Sequence, residues 1–285
     1  MMVAYFQPAT LDHALQLLGR RDIKILAGGT DVYPAKTTRA GWGDRRHPDV
    51  LDISRIRFHR GVVSHDQHWS ISPLTTWSDV VNADLPPLFD GLKAAAREVG
   101  GVQIQNRGTI VGNICNASPA ADGVPPLLTL DAVVDIESHE GERSAPLQSF
   151  IDGYRHTSLA PHEMVTGIRI PKREGLGYFL KLGARRYLVI SIAMVAAVID
   201  VDRDGRIVSA AIAVGACSAV AQRLPMLEVA LTGQQPDPAL VLPEHLEQLT
   251  PIDDVRATAD YRRAAALELV RDVIANAAGY QRRAS

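Results

Sequence analysis

Two short segments carry the residue types that hold an anion through the main chain. The first, Ala27-Gly28-Gly29-Thr30-Asp31, follows the apolar residues Ile23, Ile25 and Leu26. Glycine lets the backbone approach a ligand and adopt positive φ, so successive amide N–H groups converge on an anion with no Cβ in the way. Thr30 adds a hydroxyl donor, whereas the Asp31 carboxylate suits bracing the turn through backbone amides rather than facing a phosphate. The second, Thr109-Ile110-Val111-Gly112-Asn113, has Arg107-Gly108 before it and Asn116-Ala117-Ser118-Pro119-Ala120-Ala121-Asp122 after it. Asn113 and Ser118 can donate to phosphate oxygens and Asp122 can accept from sugar hydroxyls, a division of labour set by charge. Either segment alone is also an ordinary polar turn. As a pair they suggest a cradle for a nucleotide diphosphate.

The common nucleotide fingerprints do not compete with this reading. There is no Gly-Lys pair, hence no P-loop, and no G-x-G-x-x-G follows a predicted strand. Gly41 and Gly43 sit in a polar loop, and Gly175 and Gly177 precede Tyr178-Phe179-Leu180, so a dinucleotide on a Rossmann sheet is disfavoured. Cys115 and Cys217 are the only cysteines, which rules out a four-thiolate cluster within the chain. Each reads as a small buried hydrophobe, with Cys115 adjoining the second segment. His65 and His68 have a metal-like spacing on a polar turn with no third ligand, and no metal is expected.

Composition narrows the class further. The 285 residues are 46% hydrophobic and 22% charged, enough for a sizeable core in two or three domains. A formal net charge of −2 supplies no field that would draw in nucleic acid. The longest apolar run, Ile192 to Ile199, is far too short to span a bilayer, so no membrane insertion is expected. The start of the chain lacks the pattern of a secretory signal, and a cytoplasmic location is expected.

The elements around the two segments follow from periodicity. Thr10 caps a helix over Leu11 to Leu18, stopped by Gly19, and Ile23 to Leu26 form a short buried strand. Val50 to Ile53 and Trp69 to Ser72 read as strands, and Leu88, Leu92, Ala95, Ala96 and Val99 as one helix face closed by Gly100-Gly101. A strand is predicted at Val133 to Ile136, another at Met164 to Ile170, and a boundary near Pro171 to Gly177. Ile192 to Val201 and Ile207 to Val214, joined at Asp204-Gly205, form a hairpin. Two helices follow, the last placing Leu267, Val270, Ile274 and Ala277 on one face between about residues 261 and 278.

Five motifs in order then give a specific resemblance. They are Ile25-Leu26-Ala27-Gly28-Gly29-Thr30-Asp31, Gln103 to Asn113, Ala117-Ser118-Pro119-Ala120-Ala121-Asp122, Thr166-Gly167-Ile168-Arg169-Ile170-Pro171, and Tyr261-Arg262. Across nearly its whole length the chain resembles the FAD-binding subunits, or medium chains, of the xanthine dehydrogenase and carbon monoxide dehydrogenase family of molybdenum hydroxylases. The resemblance implies an α+β fold: a vanillyl-alcohol-oxidase (PCMH)-type FAD-binding domain in two subdomains, 1–55 and 56–173, and a C-terminal α+β domain of the CO dehydrogenase flavoprotein type, 174–285.

It also implies roles. Ala27, Gly28, Gly29, Thr30 and Asp31 would form the first diphosphate turn, Thr109, Gly112 and Asn113 the second, and Asp122 would hold the ribityl or ribose region. Val165 would line the ring pocket with its backbone, Lys181 would tune the isoalloxazine by its charge, and Tyr187 would cover one ring face. The sequence departs from the family at Val111, where a glycine is usual, at Gln105 in place of an arginine, and at Val99 in place of a phenylalanine beside the flavin. A cysteine-rich insertion found in one branch is absent, so no extra iron–sulfur cluster is implied. The implied activity is that of an oxidoreductase subunit working within a heterotrimer or its dimer. A large partner holds the molybdenum cofactor, a small partner holds [2Fe-2S] clusters, and FAD in this chain passes electrons to NAD, a quinone or oxygen. Two other readings are a free-standing flavin oxidase of the vanillyl-alcohol oxidase type and a non-catalytic assembly module that has lost FAD, the latter suggested by Val111.

Overall fold

β1 (Tyr5–Phe6), α1 (Leu11–Leu18), β2 (Ile23–Leu26) and β3 (Asp49–Asp52) open the chain. Thr10 starts α1 by accepting the His13 N–H on its side chain, and Gly19 is the C-cap. Both β1 and β2 pair in parallel with β3, so all three strands end on one side of the sheet. Leu26 therefore delivers the chain at that edge straight into Gly28-Gly29. Ala14, Leu15 and Leu18 of α1 cover the sheet and reach Met164. The computed structural model describes residues 4–19, 23–37 and 48–284, so the loop holding Gly41 and Gly43 lies outside the described residues.

A second, five-stranded antiparallel sheet has the order β4-β5-β10-β6-β7. It comprises β4 (Val62–Ser64), β5 (His68–Ile71), β6 (Val133–Ser138), β7 (Gly141–Pro146) and β10 (Met164–Pro171). Between β5 and β6 run α2 (Trp77–Asn82), α3 (Asp90–Glu98), α4 (Val102–Gln105), α5 (Ile110–Asn116) and α6 (Val124–Thr129). After β7 come α7 (Leu147–Phe150) and the small hairpin of β8 (Ile151–Gly153) and β9 (His156–Thr157). Trp77, Phe89, Leu92, Ile110, Ile114, Leu127 and Phe150 fill the core against Ile71, Val134 and Ile168. The predicted Leu88 to Val99 helix begins as a 3-10 turn at Pro87–Phe89 before α3. His65 and His68 lie at the β4–β5 connection, their rings stacked 4.6 Å apart and His65 bonded to Ser70.

The third sheet is antiparallel in chain order, β11 (Leu176–Leu182), β12 (Ala193–Val201), β13 (Ile207–Gly215) and β14 (Gln222–Arg223). β12 reads as an unbroken apolar run because both of its faces are covered. Ala193, Val195, Ala197 and Ile199 meet the last helix, while Met194 and Ala196 pack with Ala95 and Phe179. After α8 (Pro225–Leu231) the chain ends in α9 (Ala259–Ala284), longer at both ends than its periodicity indicated. Val270, Ile274 and Ala277 are buried as the pattern requires, with Ala266 and Val273 beside them, and Leu267 is only partly covered. Arg223 and Arg173 share Asp131 at 2.8 and 3.0 Å, clasping the second and third sheets. Among the described residues no helix is long and apolar enough to cross a membrane.

The start of α9 is fixed by two aspartates. Asp253 accepts the Ala259 N–H at 2.6 Å, and Asp254 accepts the Arg256 N–H at 2.8 Å and the Arg262 guanidinium at 2.6 Å. Partial desolvation pushes Asp254 up, but these donors outweigh it and hold the carboxyl down at about 2. A carboxyl depressed on folding contributes stability above its unfolded pKa of 3.8, lost as pH falls through the folded value. We expect urea unfolding to show a fall in stability between about pH 4 and about pH 2. Asp254→Asn should flatten that part of the profile; an unaltered slope would remove this group from the acid response.

Candidate functional site

The two glycine segments converge. Gly29 has φ +77°, a conformation that favours glycine, and a Cβ on Gly28 would stand 1.9 Å from the Arg107 carbonyl oxygen. Only a bare backbone permits this approach. Thr30 Oγ1 lies beside Gly108, where a Cβ would meet it at 3.4 Å. Asn116 Nδ2 donates to Asp31 Oδ1 at 3.1 Å across 85 residues of sequence, a partner for Asp31 that sequence reasoning did not assign. Asn116 also accepts from Arg155 at 2.9 Å, which ties the junction to the β8–β9 hairpin.

The second segment is the beginning of a helix rather than a turn. Thr109 has extended backbone and its Oγ1 accepts the Gly112 N–H at 3.0 Å, a helix cap that starts α5. Ile110, Val111 and Ile114 are buried beneath it. Val111 is thus a core residue, and valine here leaves the face bearing Gly112, Cys115 and Asn116 unobstructed. Cys115 reaches solvent on that face, contrary to the expectation of a buried thiol; Cys217 is buried. The protein around Cys115 nevertheless desolvates it enough to push the thiol up to about 12. Asn113 carries a buried Oδ1 with no hydrogen-bond partner among the described residues. Such an orphaned acceptor calls for a donor, an ordered water or a hydroxyl from outside the chain.

Ser118 braces the loop that follows, its Oγ accepting the Ala120 N–H at 3.3 Å. Asp122 and Lys181, expected as separate contacts, are partners of each other. Lys181 Nζ stands 2.7 Å from Asp122 Oδ2, with side chains only 9% and 6% exposed for Asp122 and Lys181. Ser191 Oγ donates to Asp122 Oδ1 at 2.6 Å, and Lys181 also reaches the Glu98 carbonyl at 3.4 Å. Asp122 therefore has both carboxylate oxygens engaged within the chain. Burial raises its pKa, with Glu98 adding to the rise and Lys181 and Ser191 opposing it.

Val165 is buried in β10 at the edge of a bulge that interrupts its pairing with β6, so its side chain belongs to the core. Tyr187 is 51% exposed in the connection from β11 to β12. A cleft of about 520 Å³ lies under that connection, lined by Ala94, Glu98, Phe179, Lys181, Arg185 and Val189 among others. Asn116 and Ser191 are the site residues that sequence reasoning missed. Asn116 stands in the polar stretch just after the second glycine segment and could have been found there; Ser191 had no local signal.

Comparison with known proteins agrees with this geometry. Residues 1–173 match the family model described as the FAD binding domain in molybdopterin dehydrogenase, and residues 178–277 match the CO dehydrogenase flavoprotein C-terminal domain. The chain is 30% identical to the nicotine 6-hydroxylase medium subunit of Paenarthrobacter nicotinovorans, over 96% of this chain and 97% of that one. It is 32% identical to the xanthine dehydrogenase FAD-binding subunit of Escherichia coli O157:H7, over 59% of this chain and 57% of the other. Among solved structures, a chain of carbon monoxide dehydrogenase from Hydrogenophaga pseudoflava superposes with a TM-score of 0.87 at 27% identity, covering 98% of both chains. The α+β architecture is thus an FAD-binding domain joined to a CO dehydrogenase flavoprotein C-terminal domain, and the chain belongs to the FAD-binding medium subunits of the molybdenum hydroxylase family of oxidoreductases.

Proposed function

We propose that this chain is the flavin station of a three-subunit molybdenum hydroxylase: electrons leave a substrate at a molybdenum cofactor in a large partner, cross [2Fe-2S] clusters in a small partner, and reach FAD here. The observation that carries this reading is the backbone contact of Gly28 with Arg107, which closes two glycine segments into one cradle. In support, the two cysteines stand apart, Cys115 in the cradle and Cys217 buried in the third sheet's core, so clusters have to be supplied by another chain.

FAD supplies the storage and release of electrons. The chain's own residues bind, orient and exclude water. Gly28 and Gly29 admit the diphosphate, with Ala27, Thr30 and Asp31 completing the first turn. From the opposite side Thr109 and Ser118 offer hydroxyl donors and Asn113 its side-chain amide N–H, while Gly112 leaves the face of α5 bare. The buried Asn113 Oδ1, an acceptor, is met by a donor such as a cofactor hydroxyl rather than by the diphosphate. Val165 meets the ring edge through its main chain. Lys181 sets the local charge jointly with Asp122, and Asp122 reaches the ribityl region from within that pair. Tyr187 covers the ring from the β11–β12 connection. The same reading divides the chain into subdomains 1–55 and 56–173 and a C-terminal domain 174–285. It places the protein in the cytoplasm and passes the electrons on to NAD, a quinone or oxygen.

Purification from the native host under non-denaturing conditions tests this directly. The expected result is co-elution with a molybdenum-containing chain and an iron–sulfur chain. A chain that elutes alone and oxidises a small alcohol at a useful rate would instead make it a free-standing oxidase.

A further inference from the structure

The Tyr261-Arg262 motif sits far from both glycine segments in sequence, and the flavin reading assigns it nothing. Arg262 is 3% exposed at the start of α9. Its Nη1 donates to the carbonyl oxygens of Ile192 at 2.6 Å and Ala216 at 3.2 Å, and its Nη2 to Asp254 at 2.6 Å. One guanidinium therefore holds the beginning of β12 and the residue just past the end of β13. Both points lead to the loop over 118–122. Ser191, next to Ile192 and 1% exposed, donates to Asp122. Ala216 donates its N–H to the Pro119 carbonyl at 3.0 Å.

The loop is thus pinned to the third sheet at two places. The backbone is strained at both ends of this arrangement. Ala117, which opens the loop, has φ 47°, and Ala216 has φ 62°, left-handed conformations that alanine keeps only where its surroundings impose them. A planar fork of donors suits holding two carbonyls and a carboxylate at once; a lysine ammonium on a flexible stem does not reproduce it.

We propose that Arg262 is a positioning residue for FAD, holding the 118–122 loop and its Asp122–Lys181 pair in register with the cradle although it lies outside the cradle itself. The proposal rests on the flavin reading above. It requires that binding respond to Arg262 beyond any loss of stability.

The test compares Arg262→Lys, Asp254→Asn, Ser191→Ala, Ser191→Thr and the Arg262→Lys/Ser191→Ala double variant. FAD dissociation constants are measured by quenching of flavin fluorescence, at a temperature where circular dichroism finds each variant folded. Arg262→Lys keeps a charge for Asp254 but loses the double carbonyl grip, and should weaken FAD binding about tenfold. Asp254→Asn removes the ion pair and leaves the grip, so its FAD affinity should stay within about twofold of the parent despite lower stability. Ser191→Ala should weaken binding and Ser191→Thr restore it. The double variant should be weaker by less than the product of its two single effects, because both act on one anchorage.

If Arg262→Lys does not fold, unchanged FAD affinity in Ser191→Ala overturns the proposal by itself. It is also overturned if affinity merely tracks stability across Asp254→Asn and Arg262→Lys, or if the two single effects multiply independently. A parent chain that takes up no FAD removes the flavin reading. A parent chain that binds FAD no better than Arg262→Lys removes only the role of Arg262.

Discussion

Gly28→Ala is expected to cost the protein its cofactor. The new methyl group would stand 1.9 Å from the Arg107 carbonyl oxygen and 3.1 Å from the Gly108 Cα, both main-chain atoms with no rotamer to give way. The two glycine segments must then separate, and the cradle opens. A shift of several tenths of an ångström at charge-assisted phosphate contacts should weaken FAD binding by about 100-fold or more. Overpacking should lower stability by about 1–3 kcal/mol. Gly279→Ala is the matched control, since a Cβ there meets nothing within 4 Å and the residue lies in α9. It should leave flavin content unchanged and add up to about 1 kcal/mol of helix stability. Flavin absorbance per chain after gel filtration separates the two, and a Gly28→Ala protein that keeps its full complement of FAD would show that the cradle is not where the diphosphate sits.

Lys181→Met should have the next largest effect, on stability and on the flavin together. Removing one partner of a buried ion pair leaves the other charged and unpaired, which costs about 3–5 kcal/mol. Asp122 can escape by taking up a proton, and its pKa is already raised by burial with Lys181 present. The penalty should therefore shrink as pH is lowered, because the protonated carboxyl no longer needs a cation. The double variant Asp122→Asn/Lys181→Met should recover most of the lost stability. The flavin potential follows the same logic. At high pH the variant loses a positive charge and keeps a negative one, so the potential should fall. At low pH both charges are gone and the potential should return towards its parent value. Spectroelectrochemistry of variant and parent side by side across the pH range in which both stay folded checks this; a potential lowered equally at every pH would show that Asp122 keeps its charge without Lys181, and a potential unaffected at every pH would separate Lys181 from the ring.

Much of the fold was legible because its signals are local. The Thr10 cap and Gly19 stop bound α1, and Asp204-Gly205 marks the β12–β13 hairpin, as their chemistry requires. The parallel order β1-β3-β2 was not legible, because strand order is decided by packing between segments and not within any one of them. α5 was read as a turn because Gly112 and Asn113 resemble one. The opposing signal was present in Ile110, Val111 and Ile114, apolar residues on one helical face behind a threonine cap. That face also explains why valine stands at position 111, where the family usually has glycine: the residue points into the core.

The site divides along the same line. Gly28, Gly29, Thr109 and Asn113 could be named because backbone demands are written in residue type. The pairing of Asp122 with Lys181 spans 59 residues and with Ser191 spans 69, so no spacing rule could reveal it. Sequence reasoning gave each of the two charges its own ligand contact, whereas folding presents them as one nearly neutral unit. On the proposed flavin reading, their influence on the ring is a property of the pair, and of the protonation of Asp122, rather than of a lone lysine.

The central claim is that FAD lies between the Gly28-Gly29 turn and the Gly112 face of α5, and Cys115 on that face reports it. Titrating the purified, flavin-free chain with FAD while following maleimide labelling measures both events. The account predicts saturation at about one FAD per chain, labelling of Cys115 that is slow at the outset because its thiol stays protonated and is slowed about a further tenfold or more by FAD, and Cys217 unreactive throughout. Binding without protection of Cys115 would contradict the placement, and absence of binding would contradict the cofactor itself.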